Sequence, residues 1–447
     1  MSFLINPYIF GLQLEFWTNL LFTSGKIVTG FVATFTNALT VSWGDGTTTP
    51  LTSGVSVNKT LGTTNGIELE NDNAVVTKII CGTSSPRLGG TINLSAFPNL
   101  QEFRCNSNDI TALSGYAQNS NFKTIHFSDN KVIGSIPSLS ALNNLENFYC
   151  YSNQLTGSIP SLSGFIRLQN FNCHSNQLTG SIPSLSGLND LQSFSCLQNQ
   201  LTGSIPSLSG LSNLREFYCY SNQLTGSIPS LAGLSSLRDF ACYSNQLTGT
   251  IPSLNGMWLT NLRIFRCNNN QLTGTIPSLS GLNYLQVFYC YSNQLTGSIP
   301  NLSPGGAGGD LRDFRCNNNQ LTGSIPSLKD CFFLENFVCY SNQLTGLIPN
   351  LSLVYIRSFY CYSNRLTGFA GENVSGYISN SLGDFRAENN LLTANAVNAI
   401  LAAFVTANKT TGTRILNLGG TGNASPTGQG ITDKATLISR GWTVTTN

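Results

Sequence analysis

The chain has 447 residues, 9% of them charged, and a net charge of +2. An apolar share of 40% supports a hydrophobic core and excludes wholesale disorder, while the near-zero charge excludes a nucleic-acid surface, which needs a basic face to neutralise phosphates. With 43 glycines and few charges, the exterior falls to Ser, Thr, Asn and Gln, a composition that does not read as an enzyme.

The first 25 residues are apolar but do not read as a signal peptide. Lys26 is the first cation, Glu15 interrupts the run, and no small-x-small cleavage site follows. The expectation is a protein that does not use ordinary signal-peptide export. No later run is long and apolar enough to span a bilayer, so no membrane insertion is expected. Val41-Ser42-Trp43-Gly44-Asp45-Gly46-Thr47 reads as a strand entering a Gly-Asp-Gly turn, with a Thr-rich strand after it. A hairpin turn is the simpler reading of those residues and a calcium site the other. They look like the WGDGT turn of PKD-like β-sandwich modules, and Ser2–Gly11 (SFLINPYIFG) resembles the starts of bacteriophage tail-fibre and other virion proteins. Residues 1–70 are therefore expected to form an N-terminal β region.

From 71 to 394 one pattern returns about every 23 residues. The segment 145–167, LENFYCYSNQLTGSIPSLSGFIR, comes back at 214–236 and 285–307. Cys150, Cys173, Cys196, Cys219 and Cys242 keep the period; Cys267, Cys290, Cys316, Cys339 and Cys361 continue it across small insertions, and Cys81 and Cys105 precede it. Twelve of the thirteen cysteines thus share one structural position, and only Cys331 falls outside it. With no CxxC pair, zinc is unsupported. One cysteine per turn predicts an interior, reduced ladder of small hydrophobes.

A period within 20–29 residues and the string NQLTGSIP resemble the leucine-rich repeat family, in its LxGxIP subtype. Phe-x-Cys stands here where that family's strand has Leu-x-Leu. The resemblance covers roughly residues 76–420 and implies a solenoid with parallel strands on its concave face. Residue chemistry agrees. Alternation in Phe148-Tyr149-Cys150 points Phe and Cys inward and Tyr outward. Three residues after each cysteine stands an asparagine (Asn153, Asn176, Asn199, Asn222, Asn245, Asn270, Asn293, Asn319, Asn342, Asn364) whose amide can bond free backbone groups of the bend and the next asparagine in the stack. Gly157 permits a sharp bend, Pro160 blocks a longer ladder, and Leu155, Ile159, Leu162 and Leu168 complete the apolar set. Counting Phe127 and Ala387 at the cysteine position gives 14 turns, or 15 with 415–418. The insertions at Met257-Trp258 and 303–309 are expected on the side away from the strands. Cys331 falls on the outer side next to Phe332-Phe333, either as part of a contact patch or tucked under its own loop.

Chemistry is sparse. His126 and His174, the only histidines, lie two turns apart and read as solvated strand residues rather than a catalytic pair. The run 305–309 lacks the Lys-Ser/Thr of a phosphate loop. The outward strand positions say more. Tyr149, Tyr218, Tyr289 and Tyr360 precede the cysteine, and Tyr151, Tyr220, Tyr243, Tyr291, Tyr340 and Tyr362 follow it, among Arg104, Arg266, Arg315, Glu216, Asp239 and Asp313. Such a face either binds a sugar or protein or stiffens the strands through tyrosine ladders.

Residues 395–447 read as a cap. Thr393 precedes a helix with Val397, Ile400, Leu401, Phe404 and Val405 on one face. A strand at 415–418 follows, then a short helix at 433–440 capped by Thr432 and stopped by Gly441, and a last strand over Trp442–Thr446. The ending, SRGWTVTTN, resembles the tails of leucine-rich repeat proteins in phages and on bacteroidete-type surfaces. The whole is expected to be a mostly β solenoid without cofactor, metal or enzymatic activity. Its role would be that of a phage virion protein at the particle surface. The N-terminal region would meet other virion proteins and the concave face a host glycan or protein, in tail-fibre-like attachment. Capsid or tail decoration and a bacterial surface adhesin are the alternatives, and a homo-oligomer is compatible with each.

Overall fold

The computed structural model describes strands at 27–35, 39–42, 48–51, 57–60, 68–71 and 76–80, then residues 89–95 and 97–447 apart from 255–256, 303–308, 353–354 and 371–377. It divides into two compact units, Met1–Gln223 and Leu224–Asn447.

In the first unit, Ile27–Phe35 runs antiparallel to Val57–Thr60 and to Val76–Ile80. Leu39–Ser42 pairs antiparallel with Thr48–Leu51 and with Glu68–Asn71. The hairpin expected around 41–47 is thus present in its two strands, with Ser42 opposite Thr48; its Gly-Asp-Gly tip lies outside the described residues. Val76–Ile80 also opens a parallel ladder. It continues through Glu102–Arg104, Thr124–His126, Asn147–Tyr149, Asn170–Asn172, Ser193–Ser195 and Glu216–Tyr218, always in chain order.

Each of these strands is three residues long because only three are needed to turn one side chain inward between two outward ones. Phe148, Phe171, Phe194 and Phe217 stand in register and are buried. Within one turn Cys150, Leu155, Ile159, Leu162, Phe165 and Leu168 join Phe148 in the interior. Behind the strand, Thr179 N–H donates to the Gly157 carbonyl at 2.7 Å, and Ser158 bridges to Thr179, before Pro160 ends the pairing. Gly157 has φ +73°, and a Cβ there would lie 3.2 Å from the Cβ of Ser135 in the preceding turn. Shape and conformation both call for glycine.

The asparagines close the bend through its own backbone groups, as expected, and reach the preceding turn at groups on either side of that turn's asparagine. Asn153 Nδ2 donates to the carbonyls of Cys150, Tyr151 and, one turn back, Phe127, while its Oδ1 accepts from Val132 N–H. The bonds join the backbones of adjacent turns. The amide's donors serve the Cys150 and Phe127 carbonyls where the strands end and share the Tyr151 carbonyl with Asp129 N–H. Asn364 repeats the arrangement. Asn130 and Asn390 extend it to the turns where Phe127 and Ala387 replace cysteine.

The second unit carries nine strands of one parallel ladder in chain order among the described residues: Asp239–Ala241, Ile264–Arg266, Val287–Tyr289, Asp313–Arg315, Asn336–Val338, Ser358–Tyr360, Asp384–Arg386, Ile415–Asn417 and Thr443–Thr445; Thr345–Ile348 and Arg365–Phe369 form a separate parallel pair. From Phe240 to Phe385 the core rings stack, with centroids 5.2–5.7 Å apart. Helix α1, Ala394–Ala407, ends the stack: Phe404 meets Phe385 edge-on and Trp442 covers Phe404 in turn. Thr393 caps α1 by accepting from Ala396 N–H. The parallel β-solenoid and its C-terminal cap are as the sequence implied.

Three details depart from expectation or resolve it. Helix α2 spans Gln429–Ser439, so Thr432 lies within it and Gly428, at φ 49°, precedes it. The earlier start follows from Gln429, whose side chain donates to Asp433, and from Gly430, where a Cβ would collide with Asn398. Cys331 is buried beneath its own loop while Phe332 and Phe333 stay exposed. It stands eight residues before Cys339, the place Leu211 holds before Cys219. Met257 and Trp258 are exposed; residues 303–308 lie outside the described set.

Candidate recognition surface

All ten tyrosines flanking the cysteine column are half-buried, resting on the strands with one face toward solvent. The cysteines beneath them are buried, and burial pushes the thiols of Cys150, Cys173, Cys242, Cys267 and Cys361 upward. A thiol held protonated is neither nucleophile nor metal ligand. Eleven cysteines are free. Cys105 is disulfide-bonded, which corrects the expectation of a ladder reduced throughout; its partner lies outside the described residues. Stacked strands about 4.8 Å apart bring one column within disulfide reach.

In the first unit the two histidines are half-buried, His126 ending a strand and His174 standing two residues past one. Tyr151 lies between them, stacked on His174 at 4.5 Å and tilted against His126 at 6.0 Å. Tyr149, in register with His126 on the next strand, meets it at 5.0 Å. His126 Nε2 is 2.7 Å from Ser128 Oγ, and His174 Nδ1 is 2.9 Å from Ser175 Oγ. Burial, helped by the Arg104 charge, lowers His126 to about 4, and burial lowers His174 as well. The cluster is therefore a neutral aromatic patch at neutral pH. The two-turn spacing could have revealed it, had the residue between the histidines been read with them.

The second unit carries charge among its rings. Tyr289 is held between the guanidinium groups of Arg266, at 5.1 Å, and Arg315, at 4.9 Å. Its hydroxyl donates to Asp313 Oδ2 at 2.8 Å. Burial and that carboxylate push it up to about 12. Arg315 binds Asp313 through both Nε and Nη2, at 2.8 Å each. Tyr360 repeats the theme by donating to Asp384, which Arg386 also grips. Tyr340 and Tyr362 lie face to face at 4.2 Å.

Between these groups is a hollow of about 400 Å³, lined by Tyr291, Arg315, Asn317, Asn336, Val338, Tyr340, Ser358 and Tyr360. It exists because Asn317 is small where both neighbouring turns carry tyrosine, and Val338 is small between Arg315 and Tyr360. Asp384, Arg386 and Glu388 were missed by the sequence reading, although Asp-Phe-Arg at 384–386 repeats 313–315. Burial raises the Glu388 carboxyl, and its Oε2 has no hydrogen-bond partner. Among the described residues no cluster of His, Cys, Asp and Glu could hold a metal ion, and no helix is long and apolar enough to cross a membrane.

No protein-family model matches the chain, and no curated protein does. Solved structures do. The chain is similar to a TDR receptor at 28% identity and a TM-score of 0.65, over 77% of this chain and 59% of that one. It is similar to the Arabidopsis receptor kinase HAESA, solved with the peptide hormone IDA and the co-receptor SERK1, at 25% identity and a TM-score of 0.60, over 76% and 61%. InlJ from Listeria monocytogenes, described as including a cysteine ladder, matches at 18% identity with a TM-score of 0.56 over 81% and 71%, a likeness of fold alone. The chain thus spans about 60% of the length of the two receptors. The structures it is similar to are leucine-rich repeat proteins, and its fold is a leucine-rich repeat solenoid.

Proposed function

We propose that the chain is a non-enzymatic recognition protein whose tyrosine-bearing strand face binds a glycan or protein on a cell surface, as the host-attachment part of a bacteriophage particle. One observation carries the recognition reading: the strand face of the second unit holds six half-exposed tyrosines and a hollow of about 400 Å³ walled by tyrosine and amide groups, and that of the first unit holds the other four. Rigid amphipathic rings lose little entropy on binding and offer both a flat apolar face and a hydroxyl. The complex of HAESA with a peptide hormone supports recognition as a use of this architecture.

The virion setting is supported by the resemblance of residues 2–11 to tail-fibre openings and of 435–447 to phage repeat-protein tails, and by a nearly uncharged, hydroxyl-rich exterior. In this setting the N-terminal β region docks to other virion proteins, and homo-oligomers are accommodated. Immunogold electron microscopy of phage lysate and of cells tests the placement. Label at the tail supports attachment, label over the head supports decoration, and label confined to bacterial envelopes replaces the phage by an adhesin. Recognition is tested separately with the double variant Tyr291→Ala/Tyr340→Ala. Loss of cell binding with an unchanged circular dichroism spectrum is expected; unchanged binding overturns the face as the site.

A further inference from the structure

Four strands end in arginine after the core phenylalanine: Glu102-Phe103-Arg104, Ile264-Phe265-Arg266, Asp313-Phe314-Arg315 and Asp384-Phe385-Arg386. Positions one and three of a strand point the same way, so the residue two before each arginine is its neighbour on the outer face. In three of the four that neighbour is an acid paired with the arginine. Arg266 has Ile264 instead, and it forms no ion pair among the described residues. Its guanidinium lies over the Tyr289 ring, partly exposed, and its Nε is buried without a hydrogen-bond partner. Two residues on, Asn268 is 3% exposed and its Oδ1 is also buried without a partner. One strand end therefore presents an unanswered cation, an unanswered donor and an unanswered acceptor. Tyr243 and Tyr291 occupy the Asn268 column one turn to either side.

We propose that Arg266 and Asn268 form a subsite for a carboxylate-bearing sugar residue of an acidic glycan, an assignment that rests on reading this face as a recognition surface. The sugar carboxylate takes the role beside Arg266 that Asp313 has beside Arg315. A ring hydroxyl donates to Asn268 Oδ1, and the sugar ring lies against a flanking tyrosine. A protein carboxylate would also answer Arg266; the sugar is favoured because one ring carries the carboxylate, the hydroxyl donors and a face that packs on tyrosine.

The test uses the full chain and ligand-observed NMR. The probes are the methyl glycosides of glucuronic, galacturonic and N-acetylneuraminic acid, each compared with its methyl ester, and N-acetylglutamate. At least one free acid is expected to bind about tenfold tighter than its ester and than N-acetylglutamate, the size of a charge-assisted hydrogen bond. Ile264→Asp supplies within the chain the acid that the three sister strands already carry, so it is expected to fold with an unchanged circular dichroism spectrum and to bring the acid down to the ester's affinity. Arg266→Gln is expected to do the same.

Equal binding of every acid and its ester, binding unaffected by Ile264→Asp, or no binding by any probe each overturns the subsite. Equal binding of N-acetylglutamate replaces the sugar by an acidic peptide and overturns it too. If Tyr291→Ala/Tyr340→Ala abolishes cell binding while Ile264→Asp changes nothing, the recognition face stands and only the acid subsite falls.

Discussion

At the scale of single residues, the solenoid depends on side chains whose chemistry has no substitute of similar shape. Asn199 donates to the carbonyls of Cys173, Cys196 and Leu197, and its Oδ1 accepts from Leu178 N–H. Asn199→Ala strands Leu178 N–H, while the three carbonyls keep their bonds from Asn176, Asn222 and Ser175, and it is expected to cost about 1–3 kcal/mol. Asn199→Asp keeps the shape but sets a carboxylate against three carbonyls, so it should be at least as damaging; urea unfolding midpoints of the two variants check this. His126 supplies a pH dependence with a definite sign. Its folded value of about 4 lies below the ordinary 6.5, so between those values the unfolded chain binds more protons than the folded one. This contribution is therefore complete above about pH 6.5 and is lost as pH falls toward 4. The lowered His174 acts in the same direction. The melting temperature of the wild type is expected to drop more than that of His126→Gln between about pH 7 and about pH 4.5.

At the scale of elements, strand and bend were legible in the sequence because each repeat states the same solution again. Phe-x-Cys fixes the inward pair, Asn marks the bend, and the column of Leu, Ile and Pro follows at constant spacing. What repetition could not reveal is what differs between turns. The stacking of Tyr151 on His174, the sandwich around Tyr289 and the hollow beside Asn317 arise from pairs of residues one or two turns apart, each unremarkable in its own repeat. The start of α2 was missed for a related reason. The Thr432 cap signal was outweighed by the contact of Gly430 with Asn398, a long-range packing demand invisible in a local window. The cap itself gives a sharp expectation. Phe404 is 1% exposed and closes the phenylalanine stack against Phe385. Phe404→Ala should cost about 3–5 kcal/mol. The loss should appear first as faster hydrogen exchange in Asp384–Arg386 and Ile415–Asn417, because terminal turns of a repeat array have a neighbour on one side only. Uniform acceleration across the second unit would contradict that order.

At the scale of the molecule, the stabilising contacts described run from one turn to the next, which makes stability nearly a sum of turn and interface terms. The same locality should govern function. The tyrosines act through neighbours one turn away, so a binding site built from them is confined to a few adjacent turns and does not need the rest of the array. Residues 177–199 allow a direct check. They make up one 23-residue turn that carries none of the ten face tyrosines, and its strand face presents Ser193, Ser195 and Leu197. Deleting 177–199 joins Asn176 to Gln200, the same Asn-Gln junction found at 176–177, so strand register, asparagine spacing and the phenylalanine column all continue. The shortened chain is expected to fold and to keep the wild-type affinity for whatever engages Tyr291, Tyr340 and Arg266. A deletion of 188–199 removes only about half of that stretch and breaks the period, and it should leave an insoluble or partly unfolded product. The comparison is made by circular dichroism melting and by the binding assay applied to Ile264→Asp. If the 23-residue deletion folds yet loses binding, the ligand is gripped across distant turns, and the strand face acts as one extended surface instead of a local site.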